Sequence, residues 1–331
     1  MKAHLAIVLA LCVHFPTIVF AQDGDLASTR PPGEGATRVE VGFYIIDLMK
    51  VIDADEAFEA DVFMLARWKD SRLAGGSVRR VPIDSVWSPD VLVFNRRDTS
   101  ADLPEVATIQ PDGTVVYRQR ITGTFASRLD LRRFPLDSQV LQIRLVAYGT
   151  NTSEVLLVEH PDFGVARNSD LAISSWKVGP SMIESGGFEA IPGAPRLPML
   201  TVSMEVERET GYYIVQLLVP LLLIVGMSWV VFLIHPKFIP PRVGTCVTTV
   251  LTLIAYRFMI DGFTPKLPYL TLVDHILLGA TLLVAASLVT VAISSRMVDD
   301  RLETAHQINR IARVLHPALF TLLLIVVRFG A

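Results

Sequence analysis

Nearly all the long apolar runs of this chain lie in its second part, from Tyr212 onward. Four follow one another: Tyr212–Ile234, Val243–Ile260, Tyr269–Ile293 and a last one from Ile308 to Val327. A hydrocarbon core of about 30 Å takes roughly 20 helical residues, so the first and third are long enough to cross it outright. The last is shorter in its purely apolar part and begins with Arg310 and Arg313, whose stems can lie along apolar surface while their charges reach water. Residues 22–208 carry a different pattern. Gln139–Val146 alternates Leu141, Ile143 and Leu145 with Gln142, Arg144 and Val146, and Thr201–Glu207 alternates Val202, Met204 and Val206 with Ser203, Glu205 and Glu207. A period of two is that of half-buried strands. Pro111-Asp112-Gly113 and Ser185-Gly186-Gly187 read as turns between such runs, and Ile191–Pro198 as a proline-rich loop. The pattern predicts an antiparallel, immunoglobulin-like β-sandwich over 22–208. A transmembrane domain over 209–331 follows, with helices at about 212–234, 241–260, 269–293 and 308–328.

The first 21 residues stand apart. Lys2 and His4 precede an apolar run from Leu5 to Phe20, and Val19-Phe20-Ala21 supplies a small-residue cleavage pattern. This predicts a secretory signal peptide over 1–21 and an exported sandwich beginning at Gln22; the run is short for a membrane span and Pro16 interrupts it. Four crossings then return the C-terminus to the outside. The two inner connections hold Lys237 and Arg242, and Arg296, Arg301, Arg310 and Arg313, whereas the outer one holds Lys266 beside Asp261. That basic bias agrees with the orientation and predicts a multi-pass protein of the cell membrane, with lipid as a partner.

Composition narrows the function. The 331 residues are 51% apolar, with a mean hydropathy of +0.45, as a membrane domain requires. A net charge of −3 gives no sign of a nucleic-acid partner. Of two cysteines, Cys12 lies in the signal segment and Cys246 in a membrane segment, so the exported domain is expected to hold without a disulfide. No nucleophile–base pair, metal-ligand cluster or phosphate loop is apparent, so neither an enzyme nor a cofactor is expected.

Val243–Ile260 differs from its neighbours in carrying Thr245, Thr248, Thr249, Thr252 and Arg257. Stepping by four and three from Gly244 gives Thr248, Leu251, Ala255 and Phe258, ending at Gly262. This stripe is small or polar at the inner end and bulky and apolar higher up. It fits a helix lining a water-filled pore, with hydroxyls at Thr248 and a dewetting constriction at Leu251. Threonines that merely pack between helices fit the periodicity as well.

Several motifs resolve this. Pro240-Pro241-Arg242-Val243-Gly244 followed by Val247-Thr248-Thr249-Val250-Leu251-Thr252 closely resembles the pore helix of glycine receptors in the Cys-loop superfamily. Arg67-Trp68-Lys69-Asp70-Ser71-Arg72-Leu73 resembles the superfamily's W-x-D-x-R-L strand, and Trp87-Ser88-Pro89-Asp90 its W-x-P-D turn. Asp130-Leu131-Arg132-Arg133-Phe134-Pro135-Leu136-Asp137-Ser138-Gln139 resembles its signature loop. Glu207-Arg208 with Gly211-Tyr212-Tyr213, and Pro265-Lys266 with Tyr269 and Asp274, resemble the junctions before the first and third membrane helices. The resemblance covers almost the whole chain after the signal segment and implies a subunit of a pentameric ligand-gated ion channel. Ser127 and Leu141 stand where the family's paired cysteines would be, and the large insertion before the last helix is absent. Both traits are similar to the prokaryotic branch, which implies five identical subunits, a small-molecule agonist and permeant inorganic ions as partners.

The resemblance also implies roles. Asp53, Asp55, Phe134, Pro135, Asp137, Arg208, Pro265 and Lys266 would couple the exported domain to the pore, Arg208 needing a carboxylate from Asp137 or Asp53; a static ion pair is the plainer reading. Pro241, Gly244, Thr248, Leu251, Ala255, Phe258 and Gly262 would line the pore. Pro240, Pro241, Arg242 and Asp261 would bear on selectivity. Cation channels of the family carry Glu where Pro241 stands, which favours anions here. Asp261 at the outer mouth favours cations, unless Arg257 one turn away neutralises it. An agonist would sit between Phe94, Asn95, Tyr148 and the Phe188–Pro198 loop of one subunit and Phe63, Leu65, Arg67, Arg118 and Arg120 of the next. The arginine that glycine receptors offer to an agonist carboxylate is Leu65 here, and the aromatic box is thin, so the agonist stays open. A non-conducting exported sensor with a four-helix anchor is the rival from another class.

Overall fold

The computed structural model describes residues 25–169, 171, 173–262 and 267–330. The expected signal segment with Cys12, and Pro265 and Lys266, lie outside the described residues. A single helical turn, α1 (Asp25–Ser28), precedes twelve strands: β1 (Thr37–Ile52), β2 (Ala57–Lys69), β3 (Arg79–Pro82), β4 (Val91–Val93), β5 (Arg96–Ala101), β6 (Val106–Ile109), β7 (Thr114–Ala126), β8 (Ser138–Ala147), β9 (Val155–Glu159), β10 (Val165–Arg167), β11 (Trp176–Phe188) and β12 (Leu197–Arg208). Four long helices follow: α2 (Gly211–Val230), α3 (Ile239–Asp261), α4 (Leu272–Arg296) and α5 (Leu302–Gly330). Each is long and apolar enough to cross a membrane.

The strands form two sheets. The larger runs β10-β1-β2-β7-β6-β3, with β9 on β1 and β5 on β7; the smaller runs β11-β12-β8-β4. Their facing sides pack as a sandwich. Val62, Met64, Ala66 and Trp68 of β2, Leu141, Ile143 and Leu145 of β8, and Val202, Met204 and Val206 of β12 share one apolar core. The alternation in β8 and β12 thus buries the side that the sequence predicts. The sandwich is not purely antiparallel, since β9 and β10 both run parallel to β1.

Two turn expectations part company. Gly113, at φ +82°, closes the β6–β7 hairpin in the left-handed region that glycine tolerates. Asp112 steadies that turn by accepting from the Thr114 amide at 3.0 Å. Ser185-Gly186-Gly187 is no turn: it pairs with Leu200, Met199 and Pro198 inside the β11–β12 hairpin. The loop expected over Phe188–Pro198 is correspondingly shorter, because Phe188 pairs with Leu197.

In the absence of a disulfide, the segment between β7 and β8 is closed by a hydroxyl. Ser127 Oγ donates to the Val140 carbonyl at 3.2 Å and accepts from the Gln142 amide at 3.3 Å. Its hydroxyl ties the end of β7 to β8 beside Leu141, where the family's second cysteine would stand.

Two helices begin elsewhere than their apolar runs predict. The α4 helix starts at Leu272, after a capping box in which Thr271 accepts from the Asp274 amide and Asp274 accepts from the Thr271 amide. The α5 helix starts at Leu302, six residues before its apolar run, because its first turns are amphipathic rather than apolar.

Candidate functional site

Where the sandwich meets the helices, Arg208 at the end of β12 is the fixed point. Its guanidinium is buried and forked on both sides. Nε and Nη2 donate to Asp137 at 2.8 and 3.2 Å, while Nη1 and Nη2 donate to Asp53 at 2.9 and 2.8 Å. Three aromatic rings enclose it, with the guanidinium carbon 4.1 Å from the Trp176 ring centre, 4.8 Å from Phe134 and 5.7 Å from Tyr213. Burial alone would lower the Arg208 pKa, yet the hydrogen bonds from Asp53 and Asp137 outweigh it and raise it above the ordinary arginine value. The Gln139 amide also donates to Asp137 at 2.6 Å.

Three segments far apart in the chain therefore converge on one cation: the β1–β2 turn, the segment before β8 and the strand entering α2. The same segment grips the helices directly. Arg132 O accepts from the Leu272 amide at 2.8 Å, the Tyr269 hydroxyl oxygen accepts from the Leu131 N–H at 3.2 Å, and Phe134 meets Tyr213 edge-on at 5.5 Å. Pro135 lines the apolar cavity beside Tyr213 and Leu272. Asp55 is exposed and takes no part in the cluster.

Along α3 the sequence divides cleanly into faces. Arg242, Cys246, Thr249, Leu253, Tyr256 and Ile260 are buried within the subunit. Pro241, Gly244, Thr248, Leu251, Ala255, Phe258 and Gly262 are all exposed on it, Leu251 at 61% and Phe258 at 74%. Tyr256 locks the buried face by donating to the Leu217 carbonyl of α2. Thr245, Thr249 and Thr252 return their hydroxyls to carbonyls one turn back, so they need no partner on another helix.

Arg242 does not face the exposed stripe: it points into the bundle, fully buried, and donates through Nη2 to Asn309 of α5 at 2.7 Å. Asn309 in turn donates to the Phe232 carbonyl at 3.0 Å. Two helical positions from Gly244 is about 200° around the axis, which explains the reversal. Pro240 is exposed at the start of α3 and Asp261 at its end. Among the described residues Asp261 forms no ion pair with Arg257, although one turn separates them.

Comparison with known proteins now bears on this arrangement. Residues 26–179 match the neurotransmitter-gated ion-channel ligand binding domain, and residues 217–324 match the neurotransmitter-gated ion-channel transmembrane region. Over 341 aligned positions the chain is 28% identical to a proton-gated ion channel of Gloeobacter violaceus, covering 99% of this chain and 92% of that one. The chain belongs to the neurotransmitter-gated ion-channel family. It is a ligand-gated channel of the prokaryotic type, a multi-pass membrane protein with its sandwich domain outside, and members of this family are not enzymes.

On the sandwich of this channel, Phe94 and Phe188 meet with ring centres 4.6 Å apart, and Tyr148 stands 65% exposed. Asn95 is not available to a ligand. Its amide donates to the Ala126 and Gln142 carbonyls at 2.6 and 2.7 Å and accepts from the Arg144 amide at 2.9 Å. Phe63, Leu65 and Arg67 share one face of β2, opposite Arg120, Arg118 and Val116 of β7. Two of the three arginines on that face are engaged within the subunit. Arg67 pairs with Glu40 at 2.5 Å, and Arg120 with Asp61 at 2.5 Å. The Arg120 hydrogen bond, against a smaller opposing effect of burial, holds the Asp61 carboxyl below the usual range. Arg118 is exposed and forms no ion pair among the described residues.

Trp176 and Asn309 were not among the residues that the sequence singled out, and Gln139 entered only as the end of the signature loop. Trp176 meets Arg208 only through the register of the β11–β12 hairpin, which the sequence does not show. Asn309 had no signal, because it meets Arg242 across 67 positions.

Proposed function

We propose that five copies of this chain surround a central pore lined by the exposed stripe of α3. In this reading a small molecule bound between neighbouring sandwich domains opens it. The observation that carries this reading is the division of α3. The buried face of α3 is tied by Tyr256 to α2 and, through one guanidinium nitrogen, by Arg242 to α5, which leaves Thr248, Leu251 and Phe258 to meet something else. Lipid accounts poorly for Gly244 and Thr248 beside a proline-capped end, whereas water accounts for both. Five Leu251 side chains would close the passage by dewetting it.

The agonist site lies between Phe94, Tyr148 and Phe188 on one side and Phe63, Leu65 and Arg118 on the other. Arg118 supplies the positive charge that Arg67 and Arg120 spend on their own carboxylates. Transmission to the pore runs through Asp53, Asp137 and Arg208 to Phe134 and Tyr213, with Pro265 and Lys266 as the receiving linker. Anions are preferred. Pro240 and Pro241 put no carboxylate at the inner mouth, and five helix N-termini present partial positive charge there. Arg242 adds its field through low-dielectric protein rather than as a lining group.

Recording from the purified protein in a planar bilayer, with a chloride gradient and a panel of small ligands, tests this reading. The panel includes acidification, because the Gloeobacter relative is named as proton-gated. Ligand- or acid-dependent currents reversing toward the chloride potential are expected. Silence under every condition would return the chain to an exported sensor with a membrane anchor. Reversal at the cation potential would keep the channel and assign selectivity to the Asp261 ring.

A further inference from the structure

Two polar side chains in the outer half of the membrane domain have nothing to bind within the subunit. Arg257 stands exposed on α3, one turn before its end, and Gln216 stands half-buried in the second turn of α2. Among the described residues Arg257 forms no ion pair, and neither side chain has a hydrogen-bond partner. Gln216 carries a second open acceptor, because Pro220, one turn on, has no N–H to give the Gln216 carbonyl. The surfaces around both are apolar. Val243, Val247 and Ile254 are exposed along the Arg257 flank of α3, and Tyr212, Val219 and Leu223 are exposed along the stripe of Gln216. Hydrocarbon is a costly surrounding for a guanidinium and for an open carbonyl.

Their depths agree. Tyr256 of α3 donates to the Leu217 carbonyl of α2, so Arg257 and Gln216 each stand one residue from a contact that fixes the two helices level. The same contact keeps them apart inside the subunit. The helices run antiparallel, and one step along each turns the side chain about 100° from the contact, toward opposite edges of the α2–α3 pair. Arg257 is also about 100° around the axis from Phe258 on the exposed stripe. A donor on one edge and its acceptor on the other, at equal depth, is the arrangement that joins identical subunits head to tail in a closed ring.

We propose that Arg257 of one subunit donates to Gln216 of the next, both to its side-chain oxygen and to the carbonyl that Pro220 leaves open. The contact rests on the pentameric reading and adds to it the edge and the level at which neighbours join: α3 of one subunit against α2 of the next. A guanidinium has five N–H donors in a planar fork and can serve two oxygens together. Hydrogen bonds of this kind hold membrane helices together where apolar contact supplies no preference between protein and lipid. The pairing also keeps the Arg257 charge at the subunit boundary, beside the pore stripe and not in it.

Full-length protein in detergent tests the pairing, with light scattering after size exclusion to read the assembly mass and a heating series to read its strength. Arg257→Gln should lower the temperature at which the assembly falls to single chains. Gln216→Glu should raise it, because a carboxylate then meets the guanidinium. In the Arg257→Gln background the same change should lower it instead. In a Cys246→Ser chain, Arg257→Cys with Gln216→Cys, bridged by a bifunctional thiol reagent, should give a ladder of joined chains ending at five. Either cysteine alone should give no ladder. A five-chain mass without a ladder, or a Gln216→Glu effect of one sign with and without Arg257, overturns the pairing and leaves the pore reading standing. A wild-type mass other than that of five chains overturns the pentameric reading and the pairing with it.

Discussion

Arg208 and Asp137 meet side-on through two hydrogen bonds, at 2.8 and 3.2 Å, with both side chains almost wholly buried. Asp53 completes the cluster from the opposite edge of the guanidinium. A buried cation held between two carboxylates and three rings has one favourable position, so a shift of either domain must carry it along. Breaking one side of such a pair costs about 3–5 kcal/mol, because the remaining charge stays buried.

Arg208→Gln and Asp137→Asn should each impair gating while the assembly seen by size exclusion stays that of the wild type. Their effects on the opening equilibrium should be coupled by at least about 1 kcal/mol in a double-mutant cycle. Simple additivity would sink the shared role and leave a static brace.

Much of this was legible from the chain. The four membrane helices followed from run length, and the β8 and β12 faces from their period of two. The Arg208 partners followed from the need of a buried cation for carboxylates, although the sequence left open whether Asp53 or Asp137 supplied them. Both do. The sequence left Arg242 off the pore stripe without saying where it points: positions 242, 246, 249, 253, 256 and 260 form the buried stripe opposite Gly244. Asn95 was illegible for a different reason. Its three backbone partners come from β7 and β8, and only tertiary structure reveals that it ties strands together instead of facing a ligand.

Asp61 and Arg120 give an acid-sensitive test of the sandwich. The folded-state pKa of Asp61 lies below its ordinary value of 3.8, so the pair contributes stability above that pH. The contribution fades as pH falls through the lower, folded value. Arg120→Gln should therefore lower the melting temperature at neutral pH, by a small amount since Arg120 is half in water. The difference from wild type should shrink toward zero in strong acid. Melts that stay equally displaced at every pH would assign the effect to packing instead.

Leu251→Ser tests the constriction. Keeping a leucine side chain from water is worth roughly 1.5–3 kcal/mol, and five copies act together. A closed pore sealed by dewetting should then leak or open at agonist concentrations lower by about tenfold or more. Single-channel recordings with unaltered open probability would move the gate to Phe258, the most exposed apolar residue higher on the same stripe.

The proposed anion preference places selectivity at the inner mouth. Arg242 is engaged with Asn309 inside the bundle, so in the proposed pore the lining at that level would be Pro241 and Gly244, with the helix ends supplying the positive field. Pro241→Glu would add five carboxylates in a narrow passage, where screening is weak because the charges stand within a Debye length of about 8 Å. The reversal potential in a chloride gradient should move from the chloride side toward the cation side. Asp261→Asn should change it little, because that ring lies at the far end of α3, more than about 25 Å away along the helix axis. Should Asp261→Asn, and not Pro241→Glu, shift the reversal potential, the filter belongs at the outer mouth and the α3 N-termini serve only to shape the vestibule beneath it.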